Sequence, residues 1–400
     1  MTEGPEAASG AGFSGLTAFY ERAGGFIVPL AATVLAFVIG GLVVAVTGHN
    51  PFTAYRAIFN GTGLNWFFPW VQGTDRTHAA VNLEQTLIVM TPLMLTALAV
   101  AFAFRCGLFN IGGQGQYWVG FIAAIWIGTH MAGLTRPAHV LVALLAAIVA
   151  GAIWGGIAGL LKATVGAHEV ISTIMLNWIA IYGGQYLFEL NGPLQGPVPA
   201  LPRSSVIDNS AKLWPIWKME GVIQVLHAGI FIALFALLVY YVLLNRTTLG
   251  YEVRAVGFNP EAARYGGISV AKNYFLALAI AGSFAGLAGG VDLLGYKFAV
   301  DTSDFATNQV GFTGIAVALL GRNKAVGILF AALLFASLQT GTSTRALDPS
   351  IFSPSLATDL ATIIQALVIF FVGAEVLIFY IWRARRYLRV RTASAPEAQL

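Results

Sequence analysis

The sequence predicts an all-α fold: a polytopic bundle of about ten transmembrane helices with broken or re-entrant segments. Three observations carry that reading. Of the 400 residues, 57% are hydrophobic and only 10% charged, whereas a soluble domain carries about 25% charged residues. Apolar runs close to the ~20 residues that cross ~30 Å of hydrocarbon recur almost throughout the chain. Some of these runs border stretches of glycine and uncharged amides. Backbone released from a helix at membrane depth must be enclosed by protein or a water-filled cavity.

The apolar runs are Phe26–Val46, Thr86–Phe104, Tyr117–Leu134, Ala138–Leu161, Val170–Phe188, Val222–Leu244, Tyr274–Leu294, Val310–Leu320, Val326–Leu338 and Leu360–Trp382. Val310–Leu320 is too short to span and is expected to be a half-helix or re-entrant segment. The first run is long enough to cross a bilayer and follows about 25 mostly polar or small residues, so a cleavable leader is not expected. The organisation expected is an N-terminal tail (1–25), a membrane domain (26–382) with a polar loop at 244–272, and a C-terminal tail (383–400).

The net charge is +4, which in a soluble chain would suggest nucleic acid. Here the basic residues lie between apolar runs, and loops facing cytoplasm and anionic lipid account for them better. With the N-terminus inside and ten crossings, Arg22, Arg105, Lys162, Arg246, Arg254, Arg264, Lys272, Arg322, Lys324 and tail residues Arg383, Arg385, Arg386, Arg389 and Arg391 fall inside. Arg56, Arg76, Arg136, Arg203, Lys212, Lys218, Lys297 and Arg345 fall outside. The bias places both termini in the cytoplasm. Two outer loops, Gly48–Glu84 and Asn191–Gly221, carry Trp66, Trp70, Trp214 and Trp217, residues suited to the membrane interface. The second loop contains Pro193, Pro197, Pro199 and Pro202 and is expected to be irregular.

Cys106 is the single cysteine, so no intrachain disulfide forms. No phosphate-binding G-x-x-x-x-G-K-[ST] loop occurs, and no His/Cys cluster has metal-ligand spacing. His168-Glu169 lacks the second His of a zinc-protease motif, whose place is taken by Ser172. Catalysis by this chain is therefore not expected. Gly151, Gly155, Gly156 and Gly159, and again Gly282, Gly286 and Gly290, stand at helical spacing and read as close helix packing.

Polar residues enter the apolar pattern at four places. Arg105–Gln116 holds four glycines with Asn110, Gln114 and Gln116, which must face protein, water or solute. They either line a solute path or form a structural hairpin with internally satisfied amides. Glu169 opens the fifth run, as a dipole-matched first-turn acid or as a path residue; Asn177 lies deeper. Asp292 lies near the end of the seventh run, either a functional acid or a hydrated interfacial one. In the inner loop, Asn259, Pro260 and Glu261 spell a helix start, and Gly266 or Gly267 its end. A short helix lying along the membrane suits docking.

Together RCGLFNIGGQGQ (105–116), EVISTIMLN (169–177), GYEVRAVGFNPEAARYGGI (250–268) and GFTGIAVALLGR (311–322) resemble the permease subunits of ABC importers. The branch is the branched-chain amino acid, ribose and nucleoside type, nearest to nucleoside or simple-sugar permeases. The resemblance covers roughly residues 80–380. It implies a bacterial inner-membrane subunit with a solute path near the broken segments, matched at Asn110, Gln116, Glu169 and Asn177; Gln114 and Asp292 join the path candidates from their polarity within the apolar pattern. It implies a coupling helix within 250–268, positioned by Arg254, Asn259, Glu261 and Arg264. The implied partners are a cytoplasmic ATPase that binds ATP and Mg, a second homologous permease, and an extracytoplasmic substrate-binding protein or lipoprotein. No cofactor belongs to this chain itself. Two positions depart from many relatives: Gln114 stands where they have Glu, and His168 where they have Asn. Nucleosides are the expected solute, with ribose-like sugars or branched-chain amino acids as alternatives. An ion-coupled transporter is a rival that calls for more ionisable residues within the spans than this sequence provides.

Overall fold

The longest apolar run builds the central helix. In the computed structural model, which describes residues 29–131, 133–217, 225–343 and 355–373, this helix is α3, Gly73–Arg105. It begins 13 residues before the expected Thr86, in a polar stretch that carries Asp75 in its first turn and buries Ala79, Ala80 and Leu83 on one side. Leu93 through Leu95 and Ala97 through Ala103 are wholly buried. Pro92 lies inside the helix. The Thr96 hydroxyl donates to the Pro92 carbonyl at 3.0 Å, and Thr91 to Leu87 at 2.8 Å. The second bond lies in the turn before the proline, where the ladder loses a donor.

Each of the ten expected runs contains helix where the structure describes it, but Leu226–His227 of the sixth run is a strand and the helix of the third ends at His130. Two contact clusters divide the chain, one of 1–52 with 359–400 and one of 53–358. In the first lies α1, Pro29–Val46, buried along Ala32, Ala36, Gly40 and Val44 at four-residue spacing. Most of the last helix, Ser355–Gly373, also falls here, with Leu360, Ala361, Ile364 and Val368 buried. The expected tails 1–25 and 383–400, with the five tail arginines, lie outside the described residues.

The second cluster holds, in order, α2 (Pro51–Gly61), α3, α4 (Gly113–His130), α5 (Arg136–Val165), α6 (Glu169–Phe188), a strand pair, α7 (Gly229–Arg246), α8 (Thr248–Phe258), α9 (Pro260–Tyr265), α10 (Val270–Asp292), α11 (Asp304–Thr307), α12 (Val310–Leu320) and α13 (Ala325–Gly341). Among the described residues the strands are β1 (Pro215–Trp217) and β2 (Leu226–His227), paired antiparallel. Six helices among the described residues are long and apolar enough to cross a membrane. The result is an all-α membrane bundle.

Glycine sets the distance between α4, α5 and α10. A Cβ on Gly282 would stand 2.1 Å from the Gly151 carbonyl oxygen, and one on Gly120 2.4 Å from Gly286 Cα. Bare backbones therefore touch, the arrangement small residues permit in lipid. Outward faces carry Leu141, Leu145, Val149, Ile153 on α5 and Phe231, Phe235, Leu238 on α7, all exposed.

α12 occupies 310–320 as the sequence expects and, at 11 residues, reaches only about 16 Å. The turn 321–324 returns the chain into α13, with Arg322 at φ 52° and Asn323 at φ 53°. This turn is bound: the Asn323 carbonyl accepts from Arg105 Nη2 and from the Tyr240 hydroxyl, each at 2.8 Å. The ends of α3 and α7 and the α12–α13 turn therefore share one end of the bundle. At the other end Glu84 accepts from the Leu226 amide at 2.6 Å, and Arg136 donates to the carbonyls of Lys212 and Leu213.

Candidate functional site

The glycine-rich stretch splits where its backbone must turn. α3 ends at Arg105, with Cys106 as cap, and α4 starts at Gly113. The break is thus Cys106–Gly112, shorter than the sequence suggested, and Gln114 and Gln116 belong to the first turn of α4. Gly107 takes φ 75°, a conformation that costs glycine little.

Four buried amides close this break. Asn110 Nδ2 donates to Gln116 Oε1 at 3.0 Å, and Gln116 Nε2 returns a bond to Asn110 Oδ1 at 3.1 Å. Asn110 Oδ1 also accepts from the Gly112 amide at 3.0 Å. Asn177, one face of α6, accepts from the Gly115 amide at 2.7 Å and donates to the Ile111 carbonyl at 2.9 Å. Gln114 Nε2 donates to the Asn308 carbonyl at 2.6 Å, and its Oε1 accepts from the Gly311 amide at 2.8 Å. Three of these backbone groups are the orphan donors that start α4 and α12. The amides therefore join α4, α6 and α12 through a break that lipid could not solvate. All four are at most 2% exposed.

Glu169 lies apart from that group, at the start of α6. Its Oε2 stands 2.9 Å from Lys162 Nζ of α5, and its carbonyl accepts from Thr173 Oγ1 at 2.7 Å. Asp292 is buried, 6% exposed, and the Tyr117 hydroxyl donates to its Oδ2. Asn308 Nδ2 donates to the same hydroxyl at 3.2 Å. Asp292, Tyr117, Asn308 and Gln114 thus form one chain of polar contacts across α10, α4 and the entry to α12. A π-helical turn, Leu293–Lys297, follows Asp292; such turns often mark functional positions. Among the described residues no group of three or more His, Cys, Asp or Glu could hold a metal ion.

The polar loop folds as two helices rather than one. Thr247 caps α8 through a bond from Gly250 at 3.1 Å. Asn259 caps α9, accepting from the amides of Glu261 and Ala262 at 3.0 and 3.1 Å. Glu261 and Arg264 pair with each other across one turn at 3.2 Å, both exposed. Arg254 donates to Asn245 Oδ1 at 3.4 Å. The residues that project furthest are Phe258 and Tyr265, 90% and 94% exposed, which sequence reasoning missed. An aromatic on either side of a capped, polar helix was the available signal.

α8 reaches the break directly. A Cβ on Gly257 would lie 2.3 Å from the Arg105 carbonyl oxygen, and one on Gly107 3.4 Å from Gly257 Cα. Glu252 of α8 accepts from Asn273 Nδ2 of α10 at 3.0 Å. Tyr117, Asn308, Asn273 and Glu252 were also missed. Their partners lie 21 to 191 residues away, beyond any local pattern.

Comparison with known proteins agrees with this architecture. The guanosine ABC transporter permease protein NupP of Bacillus subtilis is 38% identical over 365 residues, 90% of this chain and 97% of that protein. The nucleoside ABC transporter permease protein NupB of Lactococcus lactis is 34% identical over 88% of this chain and 92% of its own. A glucose ABC transporter permease protein of Haloferax volcanii is 34% identical over 86% of both. No solved structure matches. The family model described as "Branched-chain amino acid transport system / permease component" matches residues 82–373. The match takes in the break, its amides and both loop helices, and the chain belongs to that permease family as a multi-pass membrane protein.

Proposed function

We propose that this permease gives nucleosides alternating access across a bacterial inner membrane, powered by ATP hydrolysed on a separate cytoplasmic subunit. The observation that carries the reading is the connection between α9 and the break. Phe258, the last residue of α8, and Tyr265, the last of α9, are exposed, while α8 lies with its backbone against the exit of α3. A push on α9 is thereby delivered to Cys106–Gly112 and to the amides that hold it. The ATPase binds ATP and Mg; this chain supplies Arg254, Asn259, Glu261 and Arg264 to shape and seat the coupling helix. A second homologous permease completes the membrane unit, and an extracytoplasmic substrate-binding protein or lipoprotein delivers the solute.

Asn110, Gln114, Gln116 and Asn177 brace the wall of the path, with Glu169 and Asp292 at its two ends. The amides act behind the path surface, since they are bonded to one another and to backbone, and the nucleoside reading is supported by two of the three relatives above, which carry guanosine or nucleoside in their names. Both termini and the α8–α9 loop face the cytoplasm, which the lysine and arginine bias supports.

Docking is tested by Phe258→Ala combined with Tyr265→Ala. Buried aromatics are the usual anchors of an interface, so the ATPase recovered with the purified permease should fall about tenfold or more. The melting midpoint should not move, because both side chains are solvent-facing. Undiminished recovery of the ATPase would contradict the assignment.

A further inference from the structure

Next to the amides lies an aromatic cluster that the coupling account does not use. Trp118 of α4 is wholly buried, and its indole N–H has no hydrogen-bond acceptor. A buried donor without a partner is costly and calls for an explanation. Against Trp118 stands Phe305 of α11, its ring centre 4.2 Å away. The same ring is nearly parallel to Phe188 of α6, at 6.0 Å and 19°. α6 makes room for it by omitting a side chain: a Cβ on Gly184 would lie 2.1 Å from Phe305 Cε1.

The mount of Phe305 is polar and short. α11 has four residues. Asp304 pairs with Lys297 at 2.8 Å and accepts from the Asp301 amide at 3.2 Å. Asn308, just after α11, bonds Tyr117 and Gln114. Phe298, at φ 57°, holds a conformation unfavourable to an aromatic residue. α11 is held by a few hydrogen bonds, by the Lys297–Asp304 ion pair and by the packing of Phe305, 1% exposed, so its ring leaves the slot when a flat group of like shape replaces those contacts.

We propose that the slot formed by Trp118, Phe188 and Gly184 is the seat of the nucleobase, which Phe305 fills in this structure. The assignment rests on the nucleoside reading. Every base has a π-face that stacks on an aromatic ring, and every base offers ring-nitrogen or carbonyl acceptors for the Trp118 N–H. Ribose and leucine have no such face. The slot therefore discriminates nucleosides from the glucose in one relative's name and the branched-chain amino acids in the family description.

The test is equilibrium binding of labelled guanosine, uridine and ribose to the complete permease–ATPase complex in nanodiscs, without the substrate-binding protein. Phe305→Ala should raise guanosine and uridine retention about tenfold and leave ribose unchanged. Phe305→Leu keeps the apolar volume, drops the flat ring, and should act in the same direction with less risk to folding. Adding Trp118→Phe to either should cancel most of the gain, since the donor is lost together with part of the stacking face. A wild-type complex that imports nucleosides, with no gain in either Phe305 variant or an equal gain for ribose, overturns the seat alone. A wild-type complex that imports no nucleoside overturns the functional reading and the seat with it.

Discussion

Gly282→Val is expected to leave no folded permease in the membrane. The obstruction is backbone: the added Cβ would stand 2.1 Å from the Gly151 carbonyl oxygen, and Gly151 is equally tight against the Gly282 carbonyl at 2.3 Å. No rotamer relieves it, so α5 and α10 must separate. Separation also strips Gly286 from Ala147 and Gly120, whose Cβ contacts would be 2.2 and 2.4 Å. Overpacking in a tight core costs about 1–3 kcal/mol per site. A clash spread along three helices should exceed that and take a large share of the roughly 5–15 kcal/mol available. Size-exclusion of the detergent-solubilised protein should show aggregate only. Gly183→Val is the control, since nothing lies within 4 Å of its Cβ position, and it should behave as wild type.

Asn177→Leu is expected to abolish transport while the bundle persists. It leaves the Gly115 amide and the Ile111 carbonyl without their partners. Each buried orphan costs about 1–3 kcal/mol, concentrated where α4 begins. The glycine packing of α5 and α10 is untouched, so helicity and monodispersity should be retained. The break itself should lose its fixed geometry and with it the link between α8 and the path. Uptake at wild-type membrane abundance should fall at least about tenfold. Asn177→Asp, which keeps the acceptor and loses the donor, should fall between the two. Full uptake by Asn177→Leu would mean that the amide does not position the break.

Much of this was readable because the membrane imposes a simple code. Runs of about 20 apolar residues become helices with little ambiguity, and the 11-residue run at 310–320 declared itself a half-helix by length alone. Asn259-Pro260-Glu261 named the start of α9 to the residue, since a cap is a local device. The long start of α3 was missed because its first turns are polar and carry no hydropathy signal. Asp292 could be flagged but not placed, because its burial depends on Tyr117, 175 residues away. Likewise the amides at 110, 114, 116 and 177 were visible as polar intrusions. Their role as reciprocal staples for broken helix ends emerges only when α4, α6 and α12 meet. The slot around Phe305 was invisible for the same reason, although Gly184 and Trp118 stand in plain apolar sequence.

A permease that carries nucleosides inward using ATP hydrolysed on another subunit loses their uptake when either the gene or the docking contact is removed. The most direct measurement is uptake of labelled guanosine, uridine, ribose and leucine by cells with and without the gene, repeated with Phe258→Ala/Tyr265→Ala. Loss of guanosine and uridine uptake alone, in both the deletion and the docking variant, is the predicted result. Loss of ribose or leucine uptake instead, or nucleoside uptake that survives in the docking variant, would contradict it.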